Sequence, residues 1–249
     1  MENKSNLMVP LAIVVAGVLI AGAVFLNSKN DSASVPNGDG TGSEEVNLDP
    51  ITDKDHIVGN PDAPIIFVEY SDLECPFCKD AHDVMNQIID KYGKTGEVAW
   101  VYRHFPITTI HPKAVREAEA TECAAELGGN TAFWDYTNKI FEITPSNNGL
   151  DLDRLPEVAE EIGLDRAQFE TCLDSGRTRP NVEEDADGAR RAGARGTPHF
   201  IVSTKSGELI TVPGFLPFNQ MDGLVQQLLQ LEAGTDNTGT TTTEDEVQE

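Results

Sequence analysis

The sequence predicts an α/β protein made of a β-α-β unit, a helical insertion and a closing β-β-α unit, preceded by an apolar N-terminal segment. Three observations support this fold class. A run of β-branched and aromatic residues at 65–70 leads directly into Cys75-Pro76-Phe77-Cys78. A long central stretch carries only helical periodicity, and strand patterns return after Gly196-Thr197-Pro198. A chain of 249 residues is long enough to bury a sizeable core.

The N-terminal segment at residues 8–26 (MVPLAIVVAGVLIAGAVFL) contains no charged residue and is long enough to cross a hydrocarbon core. We favour an uncleaved transmembrane anchor over a cleaved signal peptide, for which Ala21-Gly22-Ala23 is a candidate cleavage site inside the run. Both alternatives export the rest of the chain. Lys4 precedes the run, so residues 1–7 are predicted to be cytoplasmic.

Two polar segments flank the predicted globular domain, which spans residues 53–233. Residues 27–52 are rich in Ser, Gly, Asn and Asp and predict a flexible linker. Residues 234–249 predict a disordered acidic tail. The formal net charge of -24 argues against nucleic acid as a partner, because nucleic-acid binding requires a basic surface.

The first half of the domain predicts a parallel crossover. The strand at 65–70 is followed by a helix whose apolar residues recur at helical spacing and which ends near Gly93: Ala81, Met85, Ile88 and Tyr92. Residues 97–105 (EVAWVYRHF) alternate like a second strand. A strand, a helix and a strand in this order favour two parallel neighbours in one sheet.

The helical insertion is predicted at about residues 107–190. Four helical patterns share apolar faces separated by glycine stops; they lie around Ala120–Leu127, Phe133–Phe141, Leu155–Ile162 and Phe169–Leu173. Asp165 is a candidate N-cap of the last pattern, with Gly176 beyond its end. Residues 199–203 and 208–212 then flank Lys205-Ser206-Gly207 as a hairpin, and 217–231 form a closing helix.

The Cys75-x-x-Cys78 motif has two interpretations, half of a zinc site or a redox-active pair. A zinc site needs two further ligands at close spacing, and Cys123 and Cys172 stand apart in helical patterns. A redox pair needs a thiol at a helix N-terminus, where unpaired N–H groups and the helix dipole stabilise a thiolate. The strand, motif and helix occur in that order, so we favour the redox pair. Cys75 is then the attacking thiolate and Cys78 the resolving thiol.

The chain resembles the DsbA-like family of thioredoxin-fold oxidoreductases over about residues 55–231. The matching segments are His56–Pro64 (HIVGNPDAP), Val68–Asp72 (VEYSD), Cys75–Cys78 (CPFC), Arg103–Pro106 (RHFP) and Gly196–Pro198 (GTP). The resemblance implies a thioredoxin fold with an inserted helical domain.

The resemblance also implies roles for three further residues. Pro198 corresponds to a cis-proline that faces the dithiol and presents backbone to a substrate, with Thr197 beside it. Glu69 corresponds to an acidic residue beneath the dithiol that transfers protons. Phe77 stands where the founding oxidases have a histidine, which implies a milder oxidant, and threonine before the cis-proline also occurs in disulfide isomerases.

The remaining cysteines and charged residues carry structural predictions. Cys123 and Cys172 are predicted to form a structural disulfide, as members of the branch of this family with a Gly-Asn-Pro segment do, with two buried free thiols as the alternative. His104 and His111 are expected on the surface, with a position near the dithiol as the alternative. Lys113, Arg116 and the Glu-rich helix are expected to form a solvated face.

The sequence therefore predicts a membrane-anchored protein-disulfide oxidoreductase with its catalytic domain outside the cytoplasm. Its expected substrates are unfolded or reduced exported proteins, and its expected recycling partner is a quinone-linked membrane protein. No cofactor, metal or nucleic acid is expected. The alternatives are a disulfide isomerase or reductase, and a redox-inert binding or chaperone module.

Overall fold

The computed structural model describes residues 46–236. The predicted anchor at 8–26, the cytoplasmic residues 1–7 and nearly all of the acidic tail at 234–249 lie outside the described residues. Within 46–236, no helix is both long enough and apolar enough to cross a membrane.

Five strands form one mixed sheet in the order β1-β3-β2-β4-β5. The strands are β1 (His56–Gly59), β2 (Ile65–Ser71), β3 (Val98–His104), β4 (His199–Thr204) and β5 (Leu209–Pro213). Strands β2 and β3 are parallel, and the other neighbouring pairs are antiparallel. The predicted parallel crossover and the predicted hairpin are both confirmed.

Strand β3 is buried along its whole length, whereas the sequence predicted an alternating strand. Trp100 and Tyr102 belong to the main core on one face of the sheet, and Val101 belongs to a second cluster on the other. Successive side chains of a strand point to opposite faces, so a strand covered on both sides buries every residue.

Strand β1 is an element that the sequence pattern did not predict. It is four residues long, includes a histidine and pairs antiparallel with β3 at the edge of the sheet. Gly59 ends it with φ +96°, where a Cβ atom would lie 2.6 Å from Val98 O. Only glycine fits this close approach, which explains the glycine at this point of the His56–Pro64 segment.

Helix α1 (Pro76–Ile88) follows β2 after a short turn and continues as a π-helical turn over Ile89–Gly93. The apolar residues of the predicted helix are buried, and the helical run ends at the predicted glycine. Pro76 occupies the first turn, where its fixed φ suits helix geometry and its missing N–H leaves no donor unpaired.

The insertion between β3 and β4 contains α2 (Ala114–Ile143), α3 (Leu155–Glu161), α4 (Arg166–Ser175) and α5 (Arg179–Arg191). Helix α2 is broken at Gly129 (φ 71°, ψ -167°), which is the predicted glycine stop between two helical patterns. Asp165 caps α4 by accepting from Gln168 N at 2.8 Å, and Gly176 ends it in the left-handed conformation. Helix α5 was not predicted, because small residues rather than a large apolar stripe form its buried face.

A disulfide between Cys123 and Cys172 joins α2 to α4, with the two Cα atoms 5.9 Å apart. The bridge lies entirely within the helical insertion.

The expectation of a solvated face on the Glu-rich helix is wrong for three of its glutamates. Glu117, Glu119 and Glu122 are buried. Arg179 Nε donates to Glu119 at 2.7 Å, and His56 Nε2 lies 2.7 Å from Glu122. These partner side chains come from α5 and β1, two elements that the sequence pattern did not predict.

The closing helix α6 (Phe218–Asp236) follows β5 and packs Met221, Val225 and Leu228 into the main core. At the other end, Val46, Leu48 and Ile51 pack against the second cluster. The packed part of the chain therefore begins a few residues before the predicted start at residue 53.

Candidate active site

Cys75 and Cys78 lie at the N-terminus of α1, immediately beyond the C-terminal end of β2. Cys75 is the N-cap residue, with extended backbone angles, and Cys78 lies within the first turn. Both are reduced. Cys75 is 6% exposed and Cys78 is fully buried, so of the two residues only Cys75 has any surface accessible to a substrate.

The surroundings of Cys75 stabilise its thiolate. The strongest contribution is the hydrogen bond from the Cys78 thiol; burial opposes it, and the backbone N–H groups of Cys78 and Phe77 and the Thr197 side chain add to it. Together these lower the pKa of Cys75 to about 6. In the protonated form, Cys75 Sγ donates to Thr197 O at 3.4 Å. At neutral pH, Cys75 is therefore mostly a thiolate.

The surroundings of Cys78 have the opposite effect. Burial raises the pKa of Cys78 well above its usual value, and the negative charges of Cys75 and Glu69 raise it further. Its sulfur accepts one backbone hydrogen bond, from Asp72 N at 3.4 Å. The two thiols therefore differ: Cys75 is slightly exposed and has a lowered pKa, whereas Cys78 is fully buried and has a raised pKa.

The loop before β4 faces the dithiol. The Thr197-Pro198 peptide bond is cis, and the carbonyl oxygen of Thr197 is the atom that contacts Cys75 Sγ. Pairing of His199 with Tyr70 fixes this loop beside the end of β2. A shallow cleft next to Pro198 is lined by Arg195, Thr197, His199, Thr211 and Pro213, among others.

Glu69 lies on β2 and is fully buried. Burial raises the pKa of its carboxyl to about 8. The hydrogen bond that Trp100 Nε1 donates to Oε2 at 3.0 Å opposes this rise. A negative charge on Glu69 raises the pKa of Cys78. A carboxyl that is protonated at neutral pH beside a buried thiol has the chemistry of a proton donor and acceptor. Trp100, its hydrogen-bond donor, was not singled out from the sequence.

The two histidines expected on the surface are buried, so that expectation is wrong. His104 contacts Glu122 and Thr121, and His111 Nδ1 lies 2.9 Å from Asp72 Oδ2. Asp72 was also missed as a site residue. The signal available in the sequence was its position between a buried strand and the Cys75-x-x-Cys78 motif, three residues before the first cysteine.

Among residues 46–236, no group of three or more His, Cys, Asp or Glu side chains is arranged to hold a metal ion. Phe77, between the two cysteines, is 60% exposed and brings no charge to the site.

An α/β fold with a dithiol at a helix N-terminus and a facing cis-proline defines the class of thioredoxin-fold thiol–disulfide oxidoreductases. A family model described as "Thioredoxin" matches residues 51–213, and the chain belongs to that family, as a DsbA-like member with a helical insertion.

Solved structures support this assignment. DsbA2 of Pseudomonas aeruginosa is 26% identical, with a TM-score of 0.59 over 72% of this chain and 97% of that one. The fold is also shared with alpha-DsbA1 of Wolbachia pipientis, at 22% identity and a TM-score of 0.65 over 78% of this chain and 99% of that one. BdbD of Bacillus subtilis shares it at 22% identity and a TM-score of 0.61, over 71% and 93%.

Curated relatives carry the similarity in only part of their length. The Na(+)/H(+) antiporter NhaA 3 of Salinispora tropica is 36% identical over 158 residues, which is 64% of this chain and 22% of the antiporter. An antiporter NhaA 1 of Mycolicibacterium gilvum is 32% identical over 160 residues, 64% of this chain and 24% of that protein. The chain thus spans about a quarter or less of these relatives, and antiport is an activity named for those proteins.

Proposed function

We propose that the protein is a dithiol oxidase that introduces disulfides into reduced exported proteins outside the cytoplasm. The observation that carries this proposal is the opposite perturbation of the two thiols, with the pKa of Cys75 lowered to about 6 and that of Cys78 raised. Stabilising the Cys75 thiolate stabilises the reduced form of the enzyme, which makes its disulfide a stronger oxidant.

The reaction transfers two electrons from a substrate dithiol to the enzyme disulfide. A substrate thiolate attacks Cys75 Sγ, the Cys75–Cys78 bond breaks, and Cys78 leaves as a thiolate. The second substrate thiolate then attacks the substrate sulfur of the mixed disulfide, and Cys75 leaves as a thiolate. The substrate becomes a disulfide and the enzyme a dithiol.

Three further residues have proposed roles in this reaction. Glu69 gives a proton to Cys78 after it leaves and accepts that proton when the enzyme is reoxidised, which suits a carboxyl with a pKa of about 8. Pro198 and Thr197 present backbone to the substrate chain beside the dithiol, where the cleft lies.

The proposed location rests on sequence and on one structural feature. The apolar segment at 8–26 would anchor the chain in the membrane, and residues 27–52 would tether the catalytic domain outside it. The Cys123–Cys172 disulfide supports an oxidising compartment, since such bridges are rare in the cytosol. A quinone-linked membrane partner is proposed to reoxidise the dithiol.

The test is the reduction potential of the Cys75–Cys78 pair, measured in the full-length protein by equilibration with glutathione, together with oxidation of reduced ribonuclease. We expect a potential well above the roughly -270 mV of thioredoxin, and ribonuclease oxidation that Cys75→Ser abolishes. A potential near that of thioredoxin would instead indicate a reductase or isomerase. Ribonuclease folding that is unchanged in Cys75→Ser would indicate a redox-inert chaperone.

A further inference from the structure

Asp72 occupies the turn between β2 and Cys75, and its backbone points at the buried sulfur. Its N–H donates to Cys78 Sγ at 3.4 Å. Its side chain is 1% exposed, in the interior of the protein behind the dithiol. A hydrogen bond aimed at a buried sulfur matters most when that sulfur carries negative charge, because no water is present to stabilise it.

Three donors hold the Asp72 carboxylate. Oδ1 accepts from Glu74 N at 2.8 Å, and Oδ2 accepts from Ile107 N at 2.7 Å and lies 2.9 Å from His111 Nδ1. The first of these donors belongs to the turn that Asp72 itself forms. The other two belong to the segment that follows β3, so one carboxylate ties together the loops at the ends of both parallel strands.

His111 is itself fixed in place. It is 4% exposed, its N–H donates to Ile107 O at 2.9 Å, and its carbonyl accepts from Ala114 N at the start of α2. The imidazole therefore has a rigid position from which to hold the carboxylate of Asp72. Removing it leaves a buried carboxylate with two donors instead of three, and buried carboxylates that lose a partner reorganise.

We infer that the Asp72 side chain and His111 are positioning residues that keep the Asp72 N–H directed at Cys78, so that this N–H stabilises the Cys78 thiolate as it leaves. The inference rests on the proposed disulfide chemistry. When a thiolate attacks Cys75 Sγ, the new bond to Cys75 forms, the Cys75–Cys78 bond breaks, and the electron pair moves to Cys78 Sγ. The Asp72 N–H is then the backbone donor at the sulfur that receives the charge.

If His111 has this role, one substitution at His111 should affect Cys78 and Cys75 differently. His111→Ala lets the Asp72 turn relax and weakens the donor at Cys78, which slows release of Cys78. It leaves unchanged the donors to Cys75, which come from Cys78, Phe77 and Thr197. A merely structural role for His111 would not separate the two sulfurs in this way.

The experiment uses the oxidised full-length protein and glutathione as a monothiol attacking group. Stopped-flow measurement of mixed-disulfide formation reports the step in which Cys78 leaves. We expect His111→Ala to slow this step about tenfold, the effect of losing a well-aligned hydrogen bond to a charged group. His111→Asn, whose amide N–H can replace Nδ1–H, should restore the rate to within about threefold. In a Cys78→Ser background, the alkylation rate of Cys75 should not change with His111→Ala.

His56→Ala is the matched control. It removes another histidine–carboxylate contact, the partly buried 2.7 Å pair with Glu122, on the edge strand β1 and without contact to the dithiol. Its rate should stay within about twofold of the wild type. If His111→Ala does not fold, Asp72→Asn provides the second variant, which keeps one carbonyl acceptor and should slow release of Cys78 by a smaller factor.

A wild-type rate in His111→Ala, or in Asp72→Asn where that variant is used, would overturn the inference. So would equal slowing by His56→Ala, or slower Cys75 alkylation in the Cys78→Ser background. A wild type that exchanges with glutathione but does not oxidise ribonuclease would contradict the proposed function alone, and the glutathione comparison would still decide the role of His111.

Discussion

Replacing Glu69 by glutamine removes the only carboxyl group on β2 while keeping the shape of the side chain. Glu69 is fully buried, and its folded pKa is raised from 4.5 to about 8. The glutamine can still accept the Trp100 N–H but cannot gain or lose a proton. The substitution therefore isolates the energetic cost of ionising this carboxyl in the core.

The sign of the pH dependence follows from the raised pKa. Between the unfolded value and about 8, the folded state holds a proton that the unfolded state has lost, so the free energy of unfolding falls as pH rises. Each pH unit in this window is worth about 1.4 kcal/mol. From pH 5 to pH 7, Glu69 alone should therefore lower the stability of the wild type by roughly 2–3 kcal/mol.

The assay is urea unfolding of the oxidised wild type and Glu69→Gln at pH 5 and pH 7, where the oxidised cysteines do not titrate. Glu117 and Asp185, whose pKa values are also raised, contribute equally to both proteins. The difference between the two pH-induced losses therefore belongs to Glu69. Equal losses in the two proteins would refute the reasoning and show that Glu69 is ionised in the folded state at pH 7.

Three further predictions follow from the same structure. In the reduced protein, the rate of iodoacetamide alkylation of Cys75 should have its midpoint near pH 6; a midpoint near the ordinary thiol value would contradict the stabilisation described for its thiolate. The double substitution of Cys123 and Cys172 by alanine should lower the free energy of unfolding by about 4 kcal/mol, a value estimated from the 49-residue separation of the two cysteines. Urea unfolding of the variant and of the oxidised wild type measures this difference. Burial, with Glu74 nearby, raises the pKa of Glu117 to about 10, so the free energy of unfolding of the wild type should fall from pH 5 to pH 8. In Glu117→Gln this fall should be smaller by at least about 2 kcal/mol. The same pH dependence in both proteins would argue against a protonated Glu117.

The elements that could be predicted are those whose signals are local. The strand before Cys75, the helix that ends at Gly93 and the break at Gly129 each depend on residues within a few positions of one another. The same is true of the hairpin and of the Asp165 cap. Hydrophobic periodicity, glycine conformation and capping are short-range effects, and they can be read from the chain without knowing its partners.

The features that could not be predicted depend on residues far apart in sequence. Helix α5 carries many charges, and its burial depends on contacts with β2, β3 and α2. Glu119 is buried because Arg179 reaches it from α5, and Glu122 because two histidines reach it from β1 and β3. In a sequence, a charged residue predicts a solvent-exposed position, and only the fold shows that a partner of opposite charge lies beside it.

The sequence by itself determined the dithiol and its place at the start of a helix, because a strand, a Cys-x-x-Cys motif and a periodic helix are all local patterns. The role of the Thr-Pro loop was implied by the family resemblance. Only the tertiary structure decided how the two sulfurs differ. Thr197 reaches Cys75 from 122 residues away, and the His111 that holds Asp72 is 39 residues from it. Thiol reactivity depends on hydrogen bonds and burial at distances of a few ångströms, and those distances are set by the fold.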